Sequence, residues 1–351
     1  MAIEIIGTGR AVPLQRVTND DLAARIDTSD EWIRSHTGIG SRHIADDSVA
    51  TSDVALEAAK NALAMAAGFT GNTDSGSEER DQAASEAAKS IDIVIVGTAT
   101  PDYVGCPSTA CIVQGKLGAK NAGAMDITAG CTGFIYGMET AAGILALGRG
   151  RKRALVIGAE LLSRVTNWDD RGTCVLFGDG AGAVVLEKTD APSEGMGRRG
   201  IVQTLLRADG AGHENLIFRR GGSRNPFKAG EIIEVGIYIE MNGQEVYNFA
   251  VKALSDTALA LMQADGITVD DLAWIIPHQA NARIVQAARK RLKIPEEKFY
   301  LNIEEYANTS AASIPIVLDE LNRNGKLNKG DMVMTIGFGG GLTYGGNIIV
   351  W

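Results

Sequence analysis

Cysteine is scarce in this chain: four residues among 351 make no disulfide framework. No Cys or His pair stands at a zinc-ligand spacing near Cys106 and Cys111, so no metal is expected. Basic charge is also short. Against 43 Asp and Glu there are 34 Lys and Arg, and the net charge of −9 argues against a nucleic-acid backbone as a general partner. No apolar run approaches the roughly 18–20 residues that span a bilayer, so no membrane partner is expected. The opening MAIEIIGTGRAVP is an acidic, β-like run and does not read as a signal peptide. These absences leave a cytoplasmic enzyme with reduced thiols as the expected class.

What is present is an ordinary globular composition, 45% hydrophobic and 22% charged, in a length that suits two domains or one large two-part α/β unit. Strand-like runs at 91–96, 154–157, 183–186, 274–276, 332–336 and 347–350 alternate with helical patterns, which predicts α/β layering around buried sheets. The order strand, turn residue, helix, strand, glycine-rich strand occurs twice. IVIVGTATPD leads to Cys131, then RKRALVIGAE and GDGAGAVVLE. WIIPHQANAR leads to Asn308, then GDMVMTIGFG and GGNIIVW. This plan suggests an internal duplication, with halves at 1–190 and 191–351 whose equivalent loops converge on one site. Residues 70–87 contain alanine as their only apolar residue and read as a mobile surface insertion.

Cys131 stands where an apolar strand at 124–128 turns through Ala129-Gly130 into an apolar helical pattern. Unpaired N–H groups and the helix dipole favour a negative charge there, which suits a nucleophilic thiolate. A small buried hydrophobe is the other reading. Of the four histidines, His278 directly follows an apolar strand, at the kind of strand end where α/β folds place functional groups. Asn308, in ANTSAASIP, fits an N-cap before the helical run Ile314, Leu318, Leu321 as well as it fits a functional amide. The segment GFGGGLTYGG has too little chain after it for a dinucleotide βαβ unit, but its turn can offer backbone N–H groups to an oxyanion. The glycines of FGDGAGAVV read as tight packing.

In order and spacing, AGCTGFIYG, PHQANARI, NTSAASIP and GFGGGLTYGG resemble the condensing enzymes of the thiolase fold, and among these the β-ketoacyl-acyl-carrier-protein synthase III family. DTSDEWIRSHTGI and DRGTCVLFGDGAGAVVL extend the likeness over essentially the whole chain, with 70–87 as the main departure. The resemblance implies a thiolase-like fold of two duplicated α/β halves in α-β-α-β-α layers, and a homodimer. It also implies initiation of bacterial type II fatty-acid synthesis: condensation of an acyl-CoA primer with malonyl-acyl-carrier protein, with loss of CO₂ and no cofactor. Cys131 would be the nucleophile, with His278 and Asn308 as its partners. His278 would assist as base and both would donate to an enolate, while the N–H groups of Cys131 and Gly340 form an oxyanion hole.

The resemblance also assigns Trp32 and Arg171 to sandwich the adenine of CoA, with Thr28 and Asn281 nearby. His36 stands where relatives often carry Arg. The basic residues Arg283, Arg289, Lys290 and Arg291, with Lys293, make a candidate docking face for an acidic carrier protein, and Asn248 occupies a place where relatives often have Lys. Cys106 falls in a loop thought to close the partner subunit's acyl pocket. A Cys-His-Asn hydrolase shares the residue types and order, but it would want its nucleophile near the N-terminus and usually disulfides. A polyketide synthase of the same fold shares the triad.

Overall fold

The run IVIVG is buried at all five positions, as a parallel strand covered on both faces requires. It is strand β4 (Ile93–Gly97) of a five-stranded sheet with order β1-β7-β6-β4-β5. The others are β1 (Ala2–Ala11), β5 (Gly123–Ile127), β6 (Arg153–Leu161) and β7 (Asp179–Thr189). A four-stranded sheet, order β11-β12-β13-β8, is built from β8 (Gly200–Ala208), β11 (Leu272–Pro277), β12 (Met332–Gly339) and β13 (Thr343–Val350). Two small ladders pair β2 (Gln15–Thr18) with β3 (Ser41–Ile44), and β9 (Leu216–Phe218) with β10 (Ile239–Met241). The computed structural model describes residues 1–71, 77–192, 194, 197–230 and 237–351.

The helices are α1 (Asn19–Ala23), α2 (Asp30–Thr37), α3 (Thr51–Ala66), α4 (Glu78–Ala88), α5 (Thr109–Leu117), α6 (Gly133–Ala146), α7 (Gly243–Ala264), α8 (Ala282–Leu292), α9 (Ile303–Tyr306) and α10 (Ser313–Arg323). Side-chain alternation along the strands sorts them into layers. Val94, Val96, Leu155 and Ile157 face outward onto α3 and α5. Ile95 and Val156 face the other way, onto Phe134, Ile135 and Met138 of α6 and Ile314, Val317 and Leu318 of α10. That middle layer also meets Ile276, Val333 and Ile349 of the second sheet. The far face of the second sheet packs on α7 and α8 through Leu254, Leu261, Ile284 and Val285. The result is the five-layer α-β-α-β-α arrangement of the thiolase-like fold.

The two sheets repeat one wiring. In the first, β4 and β6 run parallel, and β7 and β1 continue antiparallel. In the second, β11 and β12 run parallel, and β13 and β8 continue antiparallel. Where the first sheet has β5 beside β4, the second has a single parallel bridge, Ile275 to Phe299. Cys131 follows β5 and Asn308 follows this bridging segment, so the two occupy equivalent places. His278 follows β11 as Thr98 follows β4. Close approach of the halves demands glycine at Gly158 on β6, where an added Cβ would lie 2.1 Å from the Ala311 carbonyl oxygen.

The segment at 70–87 differs from the mobile insertion that its composition suggests. Residues 72–76 lie outside the described residues, but Ser77 caps a helix, α4, through its side chain. Alanine suffices as the apolar face because α4 lies directly against α3, burying Ala84 and Ala88. Arg80 is buried with it, donating to Glu57 at 2.9 Å, Asn61 at 3.1 Å and Asp81. Arg80→Ala removes the cation from this buried cluster and is expected to destabilise the protein by about 3 kcal/mol in urea unfolding.

Candidate active site

The Cys131 turn is short and tightly held. A single 3₁₀ turn, Gly130–Thr132, runs into α6. Thr132 donates to the Ala129 carbonyl at 2.7 Å, and so does Thr343, at 2.8 Å, from across the sheet interface. Against this turn lies the glycine-rich end of β12: an added Cβ at Gly339 would stand 2.4 Å from the Cys131 nitrogen. The next residue, Gly340, therefore lines the same cavity as Cys131.

His278 is held at both ends of its own residue. Its N–H donates to the Ile336 carbonyl at 2.7 Å, and its ring Nδ1 lies 2.8 Å from Ser313 Oγ. That hydroxyl accepts the Gln279 N–H at 3.4 Å, so its proton is available to Nδ1. Assigned from this network, the tautomer carries hydrogen on Nε2. Nε2 is buried and has no partner among the described residues, while the ring lines the cavity. Burial lowers the His278 pKa to about 3, which keeps the ring neutral at physiological pH.

Asn308 does not cap α10, whose N-cap is Ala312 with no side-chain bond. Its Oδ1 instead accepts the Ser310 N–H at 2.9 Å, two residues on, and this leaves the amide NH₂ as the free donor. Its backbone is pinned to the other half, with N–H to the Leu176 carbonyl at 3.0 Å and C=O from the Gly178 N–H at 3.1 Å. Cys131, His278 and Asn308 all line one cavity of about 600 Å³, whose other walls include Val175, Leu176, Phe177, Leu216 and Phe338. The volume falls in the range of small-molecule sites.

These apolar walls reverse one expectation. Burial pushes the Cys131 thiol up to about 12, a hydrogen bond with the Ser310 side chain opposes the shift, and nearby Glu160 adds to it. Burial works against a resting thiolate at the first turn of α6, as it works against an imidazolium at His278. Glu160 is the group that sequence reasoning missed. It is fully buried, with its pKa raised to about 7 by burial, against hydrogen bonds from Thr100, Ala99, Ser310 and Thr98. The signal was available as an acid inside the apolar run ALVIGAELL. Ser310 and Ser313 carried no such signal.

The other expected contacts separate. Trp32, His36, Asn281 and Arg283 line the cavity, whereas Thr28 is not part of its wall. The Arg171 guanidinium lies 4.1 Å from the Trp32 ring centroid, so the two stack on each other and an adenine between them requires Arg171 to swing out. His36 also stacks on Trp32, at 4.4 Å. Asn281 spends its amide on structure, accepting from the Arg283 N–H that opens α8 and donating to the His36 carbonyl. Along α8, Arg289 pairs with Glu296 at 3.2 Å and Arg291 with Asp256 at 3.3 Å. Arg283 and Lys290 are exposed, with no acidic partner among the described residues. Cys106 is exposed and lies outside this cavity's wall.

Because the folded pKa of His278 lies below its unfolded value of 6.5, the unfolded chain takes up the extra proton as pH falls. The stability tied to neutral His278 is complete above pH 6.5 and declines toward pH 3. In unfolding titrations, His278→Gln is expected to flatten the stability slope between about pH 6 and 4 by roughly 1.4 kcal/mol per pH unit.

Among known proteins, residues 125–210 match the family model for 3-oxoacyl-[acyl-carrier-protein] synthase III and residues 262–351 the model for its C-terminal part. The chain is 47% identical to β-ketoacyl-[acyl-carrier-protein] synthase III of Caldanaerobacter subterraneus subsp. tengcongensis, over 100% of this chain and 98% of that one. It is 45% identical to the enzyme of the same name from Desulfitobacterium hafniense, with the same coverage. The crystal structure of 3-oxoacyl-[acyl-carrier-protein] synthase III from Aquifex aeolicus superposes with a TM-score of 0.85 at 38% identity, covering 100% of both chains. The Thermus thermophilus enzyme gives 0.83 at 38% identity, covering 99% of each. With a cysteine, a histidine donor and an amide donor on one cavity and these likenesses over its full length, the chain belongs to the β-ketoacyl-acyl-carrier-protein synthase III family of condensing acyltransferases.

Proposed function

We propose that this protein condenses an acyl-CoA primer with malonyl-acyl-carrier protein, the initiating step of bacterial type II fatty-acid synthesis. The observation that carries the reading is the polarity of the site. His278 Nε2–H and the Asn308 NH₂ are two donors left free beside Cys131, in walls too apolar to hold charge at rest. In the first half-reaction, Cys131 Sγ attacks the acyl-CoA carbonyl. The S–C bond to the enzyme forms as the S–H bond breaks and its proton passes to solvent, and CoA leaves as its thiolate and takes a proton back from solvent. The N–H groups of Cys131 and Gly340 face the developing oxyanion. In the second, the malonyl thioester loses CO₂, and its enolate oxygen is held by His278 and Asn308. The enolate carbon then attacks the acyl-Cys131 carbonyl, which gives the β-ketoacyl carrier protein and frees the cysteine. No metal or cofactor enters these steps, and CoA is a substrate.

Trp32 and Arg171 make the entrance for the CoA adenine. Opening their stacked pair is the first act of binding, with Thr28 and Asn281 supporting the α2 and α8 ends beside it. Arg283 at the cavity mouth, with Lys290, offers the unpaired cations that an acidic carrier would meet, and Arg289 and Arg291 extend the face although they have partners in the chain. We read the active form as a cytoplasmic homodimer of chains whose halves meet near residues 190 and 191. Strand β5 ends its sheet with Met125 exposed, and Tyr103 and Val104 are 57% and 79% exposed. This apolar edge suits a second copy, with the Cys106 loop reaching the partner's acyl pocket. Among the described residues no helix is long and apolar enough to cross a membrane.

Incubation with acetyl-, isobutyryl- and octanoyl-CoA should add an acyl mass to the Cys131 peptide with at least one of them, and added malonyl carrier protein should yield a β-ketoacyl product. No mass gain with any acyl-CoA sinks the reading. His278→Ala is expected to slow decarboxylation by about 10²–10³ and acylation less. Arg283→Glu should raise the apparent KM for malonyl carrier protein several-fold while sparing acyl-CoA use; an unchanged KM removes the docking role.

A further inference from the structure

The oxyanion hole of the acyl-transfer reading draws its two donors from different halves of the chain. The Cys131 N–H belongs to the turn after β5, and the Gly340 N–H to the turn between β12 and β13. The Gly340 N–H has no backbone acceptor among the described residues, and both residues line the cavity. Their spacing decides whether one oxygen can meet both donors, since each must come within about 2.7–3.1 Å of it.

The two turns lie backbone against backbone. An added Cβ at Gly130 would stand 2.6 Å from the Gly340 nitrogen, and one at Gly339 would stand 2.4 Å from the Cys131 nitrogen. Contact between such surfaces is non-directional. It limits how close the turns can come and leaves their mutual orientation to other groups. Hydrogen bonds supply that orientation, and among the described residues every side-chain hydrogen bond between the two turns runs through Thr343 Oγ.

Thr343 Oγ donates to the Ala129 carbonyl at 2.8 Å, two residues before Cys131, and lies 3.2 Å from the Gly340 carbonyl. Thr132, on the other side of the nucleophile, donates to the same Ala129 carbonyl at 2.7 Å, and its Oγ lies 2.8 Å from Thr343 Oγ. The Thr132 N–H reaches that carbonyl as well, at 3.2 Å. One carbonyl therefore gathers the residue that follows the nucleophile and a hydroxyl from the opposite half. Thr343 is itself held by the second sheet, opposite Gly339 across the β12–β13 hairpin and opposite Ala208 of β8. Neither Thr132 nor Thr343 is part of the cavity wall.

We propose that Thr343 is a positioning residue for the oxyanion hole, its hydroxyl fixing the Gly340 N–H relative to the Cys131 N–H across the join of the halves. Gly340 stands three residues before Thr343, and Cys131 two residues after the carbonyl that Thr343 holds, so a shift at this bond moves one donor against the other. The donors for the enolate are held separately. His278 is fixed by the Ile336 carbonyl and Ser313, and Asn308 by the Ser310 N–H and the Leu176 and Gly178 backbones. Loss of the Thr343 hydroxyl therefore acts on attack at the acyl carbonyl and spares the release of CO₂.

This proposal rests on the acyl-transfer reading, and the test separates the two. Acetyl-Cys131 formation is followed by rapid quench and mass spectrometry over a range of acetyl-CoA concentrations. Release of CO₂ from malonyl carrier protein is followed in the same preparations. Thr343→Val keeps the shape and removes the hydroxyl. Its maximal acylation rate should fall by about 10²-fold, because the lost alignment is used only in the transition state. Half-saturation by acetyl-CoA and the rate of CO₂ release should both stay within about twofold of the wild type. Thr343→Ser, which keeps the hydroxyl, should acylate within about threefold of the wild type. If Thr343→Val fails to fold, Thr343→Ala against Thr343→Ser makes the same comparison. Wild-type acylation without the hydroxyl, or a serine variant as slow as the valine one, overturns the role of Thr343. A change confined to half-saturation, or equal loss of both half-reactions, overturns it in favour of a purely structural turn. A wild type that never acylates overturns the functional reading together with the positioning role.

Discussion

The structure depends on backbone meeting backbone at the join between its halves. At Gly158 the first sheet touches the turn before α10, and at Gly339 the second sheet touches the Cys131 turn. At both places an added Cβ would fall well inside van der Waals contact with main-chain atoms, which have no rotamer by which to yield. This closeness lets a cysteine from one half share a cavity with a histidine and an asparagine from the other. It also lets Thr343 reach the Ala129 carbonyl and Asn308 bond the Leu176 and Gly178 backbones. These cross-half bonds hold the site.

The apolar character of the cavity follows from the same packing. Its walls come from the ends of buried strands and from the middle helical layer, so charge there is disfavoured in either sign. The thiol is pushed up and the imidazole down, and both start neutral. Such a site gains its electrostatics from oriented dipoles: backbone N–H groups, one amide and one ring N–H. Dipoles fixed before the reaction need little reorganisation when the oxyanion or enolate forms. Glu160 is a carboxyl buried next to this environment, and donors from four residues, Thr98, Ala99, Thr100 and Ser310, make it possible to bury there.

Much of this was legible in the linear chain. The apolar runs marked the strands, the repeated strand-turn-strand order marked the duplicated wiring, and Cys131, His278 and Asn308 each stood at a segment end. The α4 segment misled because alanine and arginine are weak signals alone; they form an ordered face only against α3. Asn308 fitted a helix cap as well as a functional amide, and it bonds the Ser310 N–H without capping α10, since cap geometry depends on where the helix actually begins. The stripe on α8 looked uniformly basic, but Asp256 and Glu296, distant or unaligned in sequence, neutralise part of it.

The sequence by itself determined most strands and helices and their alternation around buried sheets, because hydrophobic period and turn chemistry are local properties, while the resemblance carried by its motifs implied the layer order and the reactive residues. Tertiary structure decided the protonation states and directions of the donors. Whether Cys131 is thiol or thiolate depends on burial in a cavity that both halves wall. Which nitrogen of His278 carries hydrogen depends on Ser313, 35 residues on, and which end of Asn308 is free depends on the fold of the turn that brings the Ser310 N–H to its Oδ1.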